Sequence, residues 1–281
     1  MRTAFVVLTY NRPEALLAVL RALAPQCGPS HEVIVADDGS RPENVQALRD
    51  GVPRFDCPVR HVWHPDRGFT AARARNLGAL QATGDYVVFL DGDCIPSRHF
   101  VHAHEALAQA GCFVNGSRVL LDEARSAQVA CGKLDLSQCT LGGWLRLWRA
   151  GGINKLSHLV DWPGAPGRIE RDFRWKGIRS ANLGLWLADL RTVNGFDETF
   201  SGWGHEDADL VLRLHHAGLL RKNGWFATEV FHLWHRENAR DREGHNRRRV
   251  EERQAGRVMR AEVGLAEAGT HEPPTVTELN R

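Results

Sequence analysis

The sequence predicts an α/β protein whose central sheet is mostly parallel, with helices on both faces. Two observations carry this. In the first third of the 281 residues, β-rich apolar runs alternate with helical stretches, and a βαβαβ order closes most simply as a parallel sheet. Polar clusters then follow the strands at 9–12, 37–40 and 91–93. Such sheets bind their ligands there, beyond the carboxyl ends of the strands.

The elements follow in order. AFVVLTY (4–10) is an apolar strand. Pro13 opens a helix in which Leu16, Leu17, Leu20 and Leu23 recur at helical spacing. EVIVADDGS (32–40) is a buried-type strand ending in turn residues. RPENVQALRD (41–50) is a short helix. TAARARNLGALQATG (70–84) is a third, with Gly84 as its C-cap. DYVVFLDGD (85–93) returns to strand. Between 112 and 180 the pattern weakens. Trp144, Leu145, Leu147 and Trp148 suit one amphipathic helix, and WPGAPG (162–167) is a loop. SANLGLWL (180–187) is a strand, GFDETFSGWGHED leads into a helix ending at 217–218, and WFATEVFHLWH (225–235) is strand-like. A basic helix with Arg247, Arg248 and Arg249 and a frayed tail finish the chain.

Composition excludes several classes. With 43% hydrophobic and 25% charged residues the chain is an ordinary globular protein, and a net charge of +2 implies no nucleic-acid partner. No run approaches the ~18–20 apolar residues of a membrane span. MRTAFVVLTYNRPEA does not have the form of a secretory signal. The six cysteines lack paired metal-type spacing, so reduced thiols in a cytoplasm are expected.

Five motifs carry chemistry. In DGD (91–93), Gly92 permits a tight turn that lets Asp91 and Asp93 converge on one hard cation, the alternative being a simple hairpin turn. ADDGS (36–40) places carboxylates where a base or ribose is bound in nucleotide-binding sheets, or caps the next helix. Arg73 and Arg75 do not share a helix face, so one points inward at most; Arg73 is assigned to solvent. In SGWGHEDADL (201–210), Glu206, Asp207 and Asp209 exceed what helix-dipole compensation asks for, and Gly202 and Gly204 leave room for a substrate. His232 and His235 in FHLWH would face opposite sides of a strand, so one of them can be a ligand.

Taken in order, TYNRPEALLAVLRAL, VIVADDGS, GFTAARARNLGALQATGDYVVFLDGD and GFDETFSGWGHEDADLVLRL resemble GT-A glycosyltransferases of the family 2 type. The last block resembles the C-terminal signature of β-1,4-galactosyltransferases, polypeptide N-acetylgalactosaminyltransferases and bacterial chondroitin-type polymerases. The resemblance implies one GT-A domain over 1–235, with a nucleotide-sugar half at 1–111, an acceptor and catalytic half at 112–235, and a C-terminal extension at 236–281. It implies that Thr9, Asn11 and Arg12 line the nucleotide pocket, with Gly92 in the donor site. Asp38 would bind the base, typically uracil, and Arg75 the nucleotide. Asp91 would touch ribose or metal. Asp93 and His232 would hold Mn²⁺ or Mg²⁺. Gly204 would border the donor sugar, Trp203 and Glu206 the acceptor, and Asp207 would be the catalytic base.

Position 205 is His where these families usually carry Gly, and 112–178 matches no nameable block, so the acceptor stays open. The implied activity is inverting transfer from a nucleotide-sugar donor to a glycan or glycoconjugate. A non-catalytic sugar-nucleotide or glycan-binding module on the same fold is the alternative. Peripheral contact with a membrane's inner face is left open. Trp144, Arg146, Trp148 and Arg149 suit an interfacial helix, as do the arginines at 247–249. A lid or acceptor wall and a solvated helix are the respective alternatives.

Overall fold

The computed structural model describes residues 1–174, 177–200, 202, 204–236, 243–270 and 272–280. The first third runs β1 (Thr3–Thr9), α1 (Pro13–Leu23), β2 (His31–Asp37), α2 (Pro42–Gly51), β3 (Val59–Trp63), α3 (Ala71–Leu80) and β4 (Tyr86–Asp91). There follow β5 (Cys94–Pro96), α4 (Phe100–Leu107), β6 (Cys112–Asn115), β7 (Ser117–Leu120), α5 (Glu123–Ala130) and α6 (Leu141–Arg149). The remainder is β8 (Ile169–Glu170), β9 (Asn182–Trp186), α7 (Leu187–Thr192), α8 (Glu206–His216), β10 (Leu220–Asn223), β11 (Glu229–His232), α9 (Glu243–Gly256) and β12 (Thr275–Glu278).

The main sheet has the order β12-β3-β2-β1-β4-β9-β6-β10-β8. Its β3-β2-β1-β4 part is parallel, as the βαβ order predicts. Beyond β4 the sheet is mixed. β9 lies antiparallel to both β4 and β6, because it arrives along an irregular segment and not through a helical crossover. Strand alternation sorts the core into two layers. Phe5 and Val7 of β1 face α1 through Leu16 and Leu20, while Ala4 and Val6 face Leu77 of α3 and Leu210 and Leu214 of α8. Gly78 lets α3 lie flat on the sheet, since a Cβ there would come within 2.8 Å of Val6.

Several expectations change. β3 escapes the sequence pattern because VRHVW carries Arg60 and His61 in a buried strand. Arg60 is neutralised by Glu32 at 3.0 Å, and His61 meets Asp37 at 2.8 Å. α3 ends at Leu80, and Gly84 serves a close approach instead of a cap: a Cβ there would lie 2.5 Å from the Arg2 carbonyl oxygen. The tail is not frayed. TVTE forms β12 against β3, and the Leu279 amide donates to the Val59 carbonyl at 2.8 Å.

Trp144 is buried and stacks on Phe231 at 5.0 Å, so it serves neither an interface nor an acceptor wall. α9 docks through Arg249 and Arg253, while Arg247 and Arg248 stay exposed. Arg249 donates to the Thr199 carbonyl at 2.9 Å and lies 4.5 Å above the Phe200 ring. Arg253 holds the buried Asp197 and Asp209, each at 2.7 Å. Breaking such buried pairs costs roughly 3–5 kcal/mol, so α9 is a structural part of the fold. Arg247 pairs with Glu251 in solvent, worth at most ~0.5 kcal/mol. Among the described residues no helix is long and apolar enough to cross a membrane.

Candidate active site

The site forms where the parallel strands end. After β1 the chain turns through Asn11 in the left-handed region, at φ 50°. Asn tolerates this better than most residues. Its amide donates to Ser40 Oγ at 2.8 Å, and its Oδ1 accepts from the Arg41 amide at 2.9 Å and Asn44 Nδ2 at 2.8 Å. The Thr9 carbonyl accepts from the Asp38 amide at 2.9 Å, so the loops after β1 and β2 are tied together.

The two carboxylates after β2 divide their work. Asp37 is scaffolding: it accepts from the Ser40 amide and meets His61, both at 2.8 Å. Asp38 accepts from the Thr70 amide at 3.0 Å and from the Thr70 hydroxyl, and lies 3.2 Å from His64 Nε2. Thr70 and His64 were not singled out in sequence, because nothing local marks them.

At the end of β4, the Gly92 amide donates to the Leu8 carbonyl at 2.7 Å, and a Cβ on Gly92 would sit 2.6 Å from that oxygen. Glycine is therefore required to seat DGD against β1. Asp91 accepts from Arg75 Nη2 at 2.8 Å. Arg75 is buried, lies 5.3 Å above the Phe196 ring, and reaches Glu206 with Nη1 at 3.4 Å. It thus bridges the strand-end carboxylate to the start of α8. Arg73, assigned to solvent, instead meets Glu198 at 3.4 Å and the Glu272 carbonyl at 3.0 Å.

The acidic stretch resolves into three roles. Asp209 is fully buried between Arg213, at 2.7 Å, and Arg253. Glu206 is buried beside Arg75; its pKa is pushed up to about 7, by burial first and then by Asp207, with Arg75 opposing. Asp207 is half-buried and accepts from the Ala208 amide at 2.7 Å and the Ser180 amide at 3.4 Å. Burial raises its pKa, and Arg75 opposes that most strongly. The preceding bend has Gly202 at φ 76°, Gly204 at φ 100° and His205 at φ 71°. A non-glycine residue such as His205 pays roughly 1–2 kcal/mol for this conformation. The Gly204 carbonyl accepts from Asn246 Nδ2 of α9 at 2.9 Å, a brace no local signal reveals. Trp203 lies outside the described residues.

The second cluster surrounds Asp93. β11 pairs antiparallel with β5, setting His232 opposite Cys94. His232 Nε2 lies 3.8 Å from Asp93 Oδ1 and His235 Nε2 lies 3.4 Å from Asp93 Oδ2. Both histidines face Asp93, because the strand ends at His232 and its alternation no longer applies. Arg12 Nη1 holds Asp93 Oδ2 at 2.8 Å. These groups fit a divalent cation. A carboxylate and an imidazole are ordinary ligands, and Asp93 and His232 belong to the cluster whose ligand atoms lie within 4.8 Å of one another, which His235 does not join. Cys94 adjoins the cluster, but burial pushes its thiol well up and leaves it a poor ligand for a hard cation.

A parallel half-sheet with DGD at a strand end, facing paired carboxylates at a helix N-terminus, defines a nucleotide-diphosphosugar transferase fold, the GT-A fold. The family model described as glycosyl transferase family 2 matches residues 4–131, and that described as the N-terminal domain of galactosyltransferase matches 168–235. Validoxylamine A glucosyltransferase of Streptomyces hygroscopicus subsp. limoneus is 29% identical over 227 residues, 76% of this chain and 48% of the relative. Chondroitin synthase of Escherichia coli is 28% identical over 240 residues, 76% of this chain and 32% of the relative. The chain therefore spans half or less of the length of these relatives. Among solved structures, S. aureus TarS 1–349 in complex with UDP-GlcNAc superposes with a TM-score of 0.58 at 16% identity, covering 95% of this chain and 69% of that one. A Pyrobaculum calidifontis mannosyltransferase with GDP-Man and Mn²⁺ gives 0.54 at 18%, covering 84% and 58%. Two glycosyltransferase family models thus match the chain in order, over 4–131 and 168–235, and its fold is that of GT-A transferases.

Proposed function

We propose that the protein is an inverting, metal-dependent glycosyltransferase moving a sugar from a nucleoside-diphosphate donor, in particular a UDP-sugar, to a hydroxyl of a glycan or glycoconjugate. The observation that carries this is the chain of contacts Asp91–Arg75–Glu206, which sets Asp207 beside the strand-end site. The donor's base and ribose lie over Thr9, Asn11 and Asp38, with Arg12, Asp91 and Gly92 along the diphosphate. Asp207 accepts the acceptor hydroxyl's proton as that oxygen bonds to the anomeric carbon and the bond to the diphosphate breaks. A carboxylate is far less basic than an alkoxide, so proton transfer accompanies attack. A divalent ion on Asp93 and His232 would offset charge on the departing diphosphate. Glu206, Gly204 and Trp203 hold the sugars.

The test is a thermal-shift panel of nucleotide sugars with and without Mn²⁺, followed by nucleoside diphosphate release with candidate acceptors. One nucleotide class should stabilise the protein, and release should rise with a glycan acceptor. Stabilisation without release under any acceptor would instead indicate a binding module.

The Glu206 carboxyl makes a pH prediction. It carries its proton below about pH 7 and loses it above. Transfer by the wild type should therefore show an inflection near pH 7 that Glu206→Gln abolishes, while the acid limb set by Asp207 stays. Retention of the upper inflection in the variant would assign it elsewhere.

A further inference from the structure

A cavity of about 290 Å³ opens at the carboxyl ends of β6 and β10, across β9 from β4. Arg118, Lys155, Arg179 and Arg221 line it, with Asn182 and Trp225. Arg221 meets Glu170 at 3.5 Å. The other three cations have no carboxylate partner within ion-pair distance among the described residues; Lys155 donates to Ser117 Oγ at 2.7 Å. Arg118 and Arg179 repel one another, and burial with that repulsion pulls the Arg118 guanidinium down. Lys155 is pulled down by burial, with Glu229 opposing and Arg118 adding to it. Asp91 and Asp93 act on Arg118, and Arg179 acts on Asp207, only from beyond ion-pair distance. Four cations crowded round one hollow are costly, and an anion between them offsets that cost.

The cavity abuts the proposed base. Arg179 and Ala181, both in its lining, flank Ser180, whose amide donates to Asp207 Oδ2 at 3.4 Å. The Ala181 carbonyl accepts from the Asp91 amide at 3.3 Å. The nucleotide half ends on β4, so a molecule entering from β6 and β10 meets Asp207 from the other side. Arginine forks match carboxylate, phosphate and sulfate oxygens, and Trp225, stacked by Arg168 at 4.8 Å, adds an aromatic wall for a sugar.

We propose that this cavity is an acceptor subsite for an anionic sugar or polyol unit, held by Arg118, Lys155 and Arg179 beside the hydroxyl that Asp207 deprotonates. The proposal rests on the glycosyltransferase reading above.

The experiment uses matched probes and the full chain. Affinity is measured at low salt for a glucuronate-containing tetrasaccharide and its carboxyl-reduced counterpart, and for a polyol phosphate oligomer and its dephosphorylated counterpart. UDP affinity is measured in parallel. The wild type should favour one anionic member over its neutral counterpart by about tenfold or more. Which pair shows it identifies the anion. Lys155→Gln/Arg179→Gln should erase the preference while UDP affinity holds, and Arg179→Gln alone, at an exposed side chain, should lose part of it. No preference in either pair, or a preference that survives the double substitution, would overturn the proposal. So would a parallel loss of UDP binding, which would assign the cations to the donor diphosphate. Failure of the wild type to bind UDP is a separate result that sinks the glycosyltransferase reading itself.

Discussion

Asp207→Asn is expected to lower transfer by about a thousandfold while leaving donor affinity within twofold, the scale on which a positioned general base acts. The substitution keeps the shape, and the amide oxygen can still accept from the Ala208 or Ser180 amide. What is lost is a group able to take a proton. The donor-side residues stand on or just after β1, β2 and β4 and on α3, and Asp207 stands on α8, so nucleotide binding has no reason to fall. Removing one of two adjoining carboxylates also eases ionisation of Glu206, which Asp207 opposes. The variant should therefore melt no lower than the wild type. Single-turnover transfer and nucleotide titration on the same preparation check this. Near wild-type transfer would remove Asp207 from the base role.

Asp93→Ala should weaken Mn²⁺-dependent nucleotide binding by on the order of a hundredfold, as expected when a ligand is removed from a metal site. The informative quantity is the ratio of affinities with and without the ion. In the wild type Mn²⁺ should tighten binding, because the Asp93 carboxylate, held by Arg12, otherwise faces the diphosphate without the ion's charge beside it. In the variant that repulsion and that ligand both vanish, so the ratio should fall toward one. His232 then remains without the anionic charge that retains the ion. An unchanged ratio would place the cation away from Asp93.

Both predictions draw on residues visible in sequence, because DGD and GWGHED carry their chemistry locally. Glycine at 92 and 204 and acids beside them state a turn and a charge whatever surrounds them. The division of labour among the acids was not visible. Asp209 became a structural anchor through Arg253, 44 residues on, and Glu206 acquired its raised pKa through Arg75, 131 residues back. His235 joined His232 because β11 ends one residue after Phe231, which strand alternation assumes it does not. Trp144 left the surface because Phe231 offered it a face to stack on.

The sequence by itself determined β1, β2 and β4, the helices on both faces of their sheet and the acidic motifs, since periodicity and turn chemistry act over a few residues. Tertiary structure alone decided what those motifs touch. It closed the sheet edge with β12, braced the bend through Asn246, and gathered Arg118, Lys155 and Arg179 around one cavity. Such partnerships depend on where distant loops bring charges in space, and a charge in a sequence carries no mark of its neighbour.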